Sequence, residues 1–522
     1  MIKFYAIALI TLLTGCGTEE VSPKSTTSTI DSTLAESAAI SVSEIVDGSS
    51  IFIKKLRLSG YDNNAIKSID FTITSKPDAL ATPLHVSYSH EKIKSDFTIN
   101  AAEKTLLLPV FGLYSNYANQ VQLTYTFVDD SKVSVLQIIN TEEFIEPDEG
   151  VYTQMLVNTL PSADNRPSFS YFFIKNKNYS PIILDIDGNI RWLAPKASVD
   201  DAAAYFDGKQ FIIGDTRGSE IYLQSFDGSS KRIDLSGGKF SKAFFHHNID
   251  AGKVGFLAEL DVTVDGIEKK EAYLAEILSD GSVIKEWDMG EIFTAYMNSQ
   301  GDDASKFVRY TSPVPNDQGS YDAIDWFHMN TATYDPSDDT IIISSRENFI
   351  VKLDYETGKI LWLLGDESKY WYQNFPSLRD LAPVLSLGKP PIGVHGLSIA
   401  NDGSLLLFNN GFHSNHQPTG EAAGVNRDFS TASKYQVSDD DQSYQEVWSF
   451  DENILSDICS SIYQHSGGDY LLNYAAANGR SLARVVILTE QKEILFDVQF
   501  PTQGCSTSWN AQIIELDNLV FN

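Results

Sequence analysis

Three short stretches, FFHHNID (244–250), WFHMNTA (326–332) and GVHGLSIA (393–400), each set histidine just ahead of an apolar strand. In the last two an acidic turn (Asp335, Asp402) follows seven residues after the His. The chain has only nine histidines, so three in one register mark His247, His328 and His395 as candidate site residues. Imidazole near neutral pH serves as nucleophile, general acid–base or metal ligand. Arg346 ends the strand that follows the His328 turn, and its rigid fork suits sulfate or phosphate oxygens. A cation there works against a metal cage, and the matching slot of the last repeat holds Ser461, so a four-His set is incomplete. The residues therefore point to nucleophilic and acid–base work on an anion, with no metal and no cofactor. A metal-dependent reading of the His cluster is the alternative. His246 adjoins His247, and neighbours on a strand face opposite ways, so a one-residue slip exchanges them.

The elements that must position these residues are strands. From about residue 165 an apolar strand leads to a polar Gly- or Asp-bearing turn, and then to a strand often ending in Trp. The pattern stands at 184–192, 225–233, 277–287, 353–362, 439–448 and 488–496. Six copies at uneven spacing predict a six-bladed β-propeller over 151–522, with long loops at 295–324 and 412–436. The histidines then open innermost strands and converge at one mouth of the channel. Residues 39–150 alternate apolar and polar in six short runs, which predicts an N-terminal β-sandwich without catalytic residues. The fold class is all-β.

Acidic side chains number 70 and basic ones 39, a net charge of −31, which excludes nucleic acid as a partner. An anionic substrate must find a local cationic pocket. Residues 1–16 read as a secretory signal whose apolar core is too short to span a bilayer. It ends Leu13-Thr14-Gly15-Cys16, like a bacterial lipoprotein signal, so Cys16 is the expected lipidation site and membrane anchor. Residues 17–38 are Ser/Thr-rich and read as a flexible tether. The expected location is periplasmic, anchored to a cell-envelope membrane. Gly17 rather than Asp after the Cys leans to the outer one. In that oxidising compartment Cys459 and Cys505 are a possible disulfide. A non-catalytic envelope scaffold is a further alternative, but it has no use for three histidines and an arginine in one cluster.

The segment WFHMNTATYDPSDDTIIISSRENFIVKLDYETGKILWLLGD resembles the signature of the bacterial aryl-sulfate sulfotransferases, which use no nucleotide sulfate donor. HHNI, HGLSIANDGSLLLFNNG and LLLPVFGLYSNYANQVQLTYTF resemble other segments of that family. The resemblance implies a sandwich followed by a six-bladed propeller, and it suggests a homodimer. It implies a phenolic sulfate as donor and a phenol as acceptor, with ping-pong transfer through a sulfohistidine. By motif position the nucleophile is His395. The His-x-Asn pair is His328 and Asn330, the arginine is Arg346, and the earliest histidine is His247. His328 would be general acid and base, while Arg346, Asn330 and His247 would bind the sulfuryl oxygens. Asn248 departs from the family, where an acidic residue often follows the His pair, and 411–435 is only loosely similar.

Overall fold

The computed structural model describes residues 34–37, 39–146, 150–177, 181–194, 203–215, 218–235, 243–312, 316, 318 and 322–522. Cys16 and the signal segment lie outside the described residues. So does most of the expected tether, but Leu34–Ser37 forms a helical turn. Its Leu34 and Ala35 N–H groups bond Asp129 and Ser131 at 2.9 and 3.1 Å.

The alternating runs form the expected strands, for alternation leaves one face to bury. Ile53–Ser59 and Thr105–Phe111 pair in a four-stranded sheet. Ile66–Ile73, Leu84–Ser89, Ala118–Phe127 and Lys132–Asn140 form most of a five-stranded one. Leu56, Leu58, Phe71, Leu106, Leu108 and Leu123 share the core between them. The fifth strand is Leu519–Phe521, which pairs in parallel with Leu84–Ser89. The expected propeller range of 151–522 is therefore corrected at its end, because the last strand belongs to the sandwich.

Between Leu156 and Ile513 the described residues form six sheets of four or five strands. The first takes its last strand, Asn510–Ile513, from the far end of the chain. The sixth takes Leu156–Thr159 from the near end. The Trp at the end of the repeat has a structural job. Trp192 Nε1 donates to Phe226 O at 2.9 Å, Trp287 to Tyr355 O at 3.3 Å and Trp448 to Glu490 O at 2.9 Å. Each time, the indole on a strand far from the histidine-bearing edge of one sheet reaches the turn of the next. Trp192 and Trp287 are buried, and a buried indole needs a partner for its N–H; here that partner is the following repeat.

One expected loop is corrected. Residues 295–324 begin inside a helix, Met289–Gln300. Asp288 caps it, accepting from Gly290 N and Glu291 N, and Gly301 ends it in the left-handed conformation. Met289, Phe293 and Met297, spaced by four, bury one face. That spacing is readable in the sequence.

Candidate active site

The histidine-bearing strands Ala243–Ala251, Met329–Asp335 and His395–Ile399 each lose regular pairing where their His stands or begins. His247 has φ +42° and His328 φ +52°, unusual for a side chain of this size. Gly396 sits at φ +59° against Ser461, where a Cβ would meet the Ser461 Cα at 2.5 Å. Such strained openings gather where geometry serves function. The structure brings all three histidines together. The ring of His247 lies 4.9 Å from that of His328 and 6.2 Å from that of His395.

The choice between His246 and His247 takes an unexpected form. The bulge over 246–248 overrides alternation, so both rings reach one carboxylate. Glu271 sits 2.9 Å from His246 Nε2, 3.3 Å from His247 Nε2 and 2.7 Å from His328 Nδ1. His247 is the one facing His395. Glu271 itself has φ +49°, with its N–H on Asp261 at 2.6 Å.

Protonation follows from these neighbours. His328 is buried, which alone disfavours charge, but Glu271 and Asp325 outweigh that and push it up to about 10. Asp325 bonds the same Nδ1, so the second proton of charged His328 is on Nε2. Burial tends to raise Glu271, yet His328 and His246 hold it well below the usual carboxylate range. Burial and then charged His246 push His247 well down.

His395 is the opposite case. Burial, and next the charge of Arg346, drop it to about 3, so it is neutral at ordinary pH. Its Nδ1 lies 2.8 Å from Asn410 Oδ1 and 3.2 Å from Gly393 O. The Asn410 amide nitrogen donates to Ser456 O and Cys459 O at 2.7 and 3.0 Å, which fixes which end faces His395. Both partners of Nδ1 are acceptors, so Nδ1 carries the proton and Nε2 keeps its lone pair. Cys459 is disulfide-bonded to Cys505, so this support is tied to the loop ahead of the last propeller strand.

Arg346 donates its backbone N–H to His328 O at 2.9 Å, which explains their closeness around one hairpin. Its guanidinium is buried against Glu347 at 2.7 Å. The Asn415 amide, oxygen inward, accepts from Nη1 and Nη2 at 2.9 and 3.0 Å. Glu347 in turn accepts the N–H groups of Asn415 and His416 at 2.7 and 2.8 Å, holding the 412–417 segment down. Asn330 also has a structural contact. Its amide nitrogen donates to Val394 O at 2.9 Å, so it braces the residue before His395.

Sequence reasoning missed Glu271, Asp325, Asn410 and Trp509. Trp509 directly precedes Asn510–Ile513, the strand-opening slot that the histidines occupy elsewhere. Its ring stacks on His247 at 4.7 Å and 14°, and stands edge-on to His395 at 6.3 Å. Among the described residues, two groups offer ligand atoms within 4.8 Å of one another: His246, His247 and Glu271, and Asp325, His328 and His416.

Known proteins similar to this chain share few of its residues but are consistent in family. An arylsulfate sulfotransferase AssT of Lelliottia amnigena is 22% identical over 453 residues, covering 68% of this chain and 72% of that protein. The AssT of Escherichia coli O6:H1 is 21% identical over 450 residues, with the same coverage. The β-propeller domain of Cps50 (Swd1) from Myceliophteria thermophila overlaps loosely, with a TM-score of 0.33 and 10% identity over 65% of this chain and 86% of that one. Residues 60–143 match the arylsulfotransferase Ig-like domain family. Residues 153–510, more than half of the sequence, match the arylsulfotransferase (ASST) family, and the chain belongs to it.

Proposed function

We propose that this chain moves a sulfuryl group from a phenolic sulfate to an acceptor phenol through a sulfohistidine on His395. The observation that carries this reading is the neutral imidazole of His395, its Nδ1–H held by Asn410, beside Arg346. Nε2 attacks sulfur, the sulfur–aryl oxygen bond breaks, and its electron pair goes to the leaving phenol oxygen. That oxygen takes the Nε2 proton of His328. The sulfated ring is cationic, and its Nδ1–H stays on Asn410. The acceptor phenol then gives its proton to His328 and attacks sulfur, and the N–S bond breaks. Charge on the peripheral oxygens is met by Arg346, which must exchange Asn415 for the sulfuryl group. The six sheets are six blades around this channel. The lipid anchor at Cys16, a periplasmic face of the envelope and a dimer belong to the same proposal. Donor alone should raise the intact mass by one sulfuryl group on His395. A chain that stays unmodified after full exposure to 4-nitrophenyl sulfate sinks the sulfohistidine.

A phenol ordinarily titrates near 10, and His328 is pushed up to about 10, so the proton passes between near-matched groups in either direction. His328 is raised, so its charged acid form is present below about 10 and is lost above it. Donor turnover should hold across neutral pH and decline as pH passes about 10. Asp325→Asn removes one of two carboxylates from Nδ1, and the decline should move to lower pH. An unmoved limb would take the acid role from His328.

A further inference from the structure

We propose that His246, His247 and Glu271 form a binding site for a zinc-class divalent cation, and that its occupancy excludes sulfuryl transfer. Two imidazoles and one carboxylate are a borderline-soft donor set, suited to Zn²⁺ and poorly suited to Ca²⁺. The ligand atoms are already grouped. Glu271 offers one oxygen 2.9 Å from His246 Nε2 and the other 3.3 Å from His247 Nε2. Around a tetrahedral zinc with ligands near 2.1 Å, ligand atoms sit roughly 3.4 Å apart, so small outward shifts admit the ion. The three come from two strands of one sheet, Ala243–Ala251 and Ile267–Ile277, which flank Phe256–Val264. Two of them hold left-handed backbone, φ +42° at His247 and +49° at Glu271. Such strain persists only where the surroundings fix it. Neither imidazole has a hydrogen bond at Nδ1 among the described residues, so a cation at Nε2 is free to set the tautomer. Arg346 is no obstacle, for its guanidinium is engaged with Glu347 and Asn415.

The exclusion rests on the function proposed above. The Glu271 oxygen that faces His247 also accepts from His328 Nδ1 at 2.7 Å, so an ion held there competes with His328 for that oxygen. The ion would also take His247 from its place beside His395.

The test is calorimetric titration of the chelator-treated full chain with ZnCl₂, and separately with CaCl₂. One zinc per chain is expected, with no calcium uptake at the same concentrations. His246→Gln and Glu271→Gln should each weaken zinc binding at least tenfold. His246 is the most exposed of the three, so its variant decides if Glu271→Gln does not fold. Absence of saturable zinc binding, or undiminished binding in the folded variants, overturns the site. Donor-only sulfation, followed by mass with and without zinc, should stop when zinc is bound. Sulfation that continues at full occupancy overturns the exclusion. A chain that binds one zinc yet never becomes sulfated without it retains the site and loses the function proposed for His395.

Discussion

His395→Ala abolishes sulfuryl transfer from 4-nitrophenyl sulfate to phenol, and it abolishes the donor-only mass shift with it. Loss of a nucleophile that works with its partners as one unit costs about 10⁶-fold in well-studied hydrolases, and at least about 10⁴-fold is expected here. Folding should survive. His395 lies among polar partners, and the His395–Phe408 backbone pairing does not depend on the ring. Asn410 then keeps both of its donor bonds, to Ser456 and Cys459. Near-normal turnover of the variant, with unchanged melting, would move the attacking atom elsewhere.

Arg346→Lys keeps a positive charge and loses the fork. The guanidinium reaches Glu347 with one nitrogen and Asn415 with two, a geometry that one ammonium cannot reproduce. Removing one such donor to developing negative charge typically costs 10²–10³-fold, so a fall in kcat of about that size is expected. Arg346 also depresses His395, second only to burial. A lysine retains that influence in part, so His395 stays neutral at working pH and the descending limb near pH 10 stays with His328. A loss confined to KM would assign Arg346 to docking alone. Because Glu347 is anchored by two backbone N–H groups, the variant leaves no bare buried carboxylate.

The sequence was most readable where one short-range rule governs. Alternation marked the sandwich strands because one face of each is buried, as in Ile66–Ile73. The recurring Trp marked the propeller repeats because Trp192, Trp287 and Trp448 all bridge to a following turn. His247, His328, His395 and Arg346 stood out because His and Arg are scarce in an acidic chain. Glu271 was invisible for the converse reason. It is one of 70 acidic residues, and only pairing between distant strands carries it to the histidines. Asp325 and Glu347 lie close to His328 and Arg346 in the sequence, but proximity alone does not distinguish a partner from a solvated neighbour. The rule that would set His246 and His247 on opposite faces does not hold, because alternation assumes unbroken pairing and the strand bulges there. Trp509 had a legible signal, as one of seven tryptophans just ahead of an apolar strand, but no copy of the repeat surrounds it.

The wall of the pocket that carries Trp509 is also the last part of it to be synthesised. The strand it opens completes a sheet begun more than 300 residues earlier, pairing with Tyr171–Lys175, and the Leu519–Phe521 strand follows at once to fasten the sandwich. A growing chain therefore holds its histidines long before it has the wall that covers them. A chain cut short between His395 and Trp509 carries every histidine of the cluster and lacks the surface against which His247 is stacked.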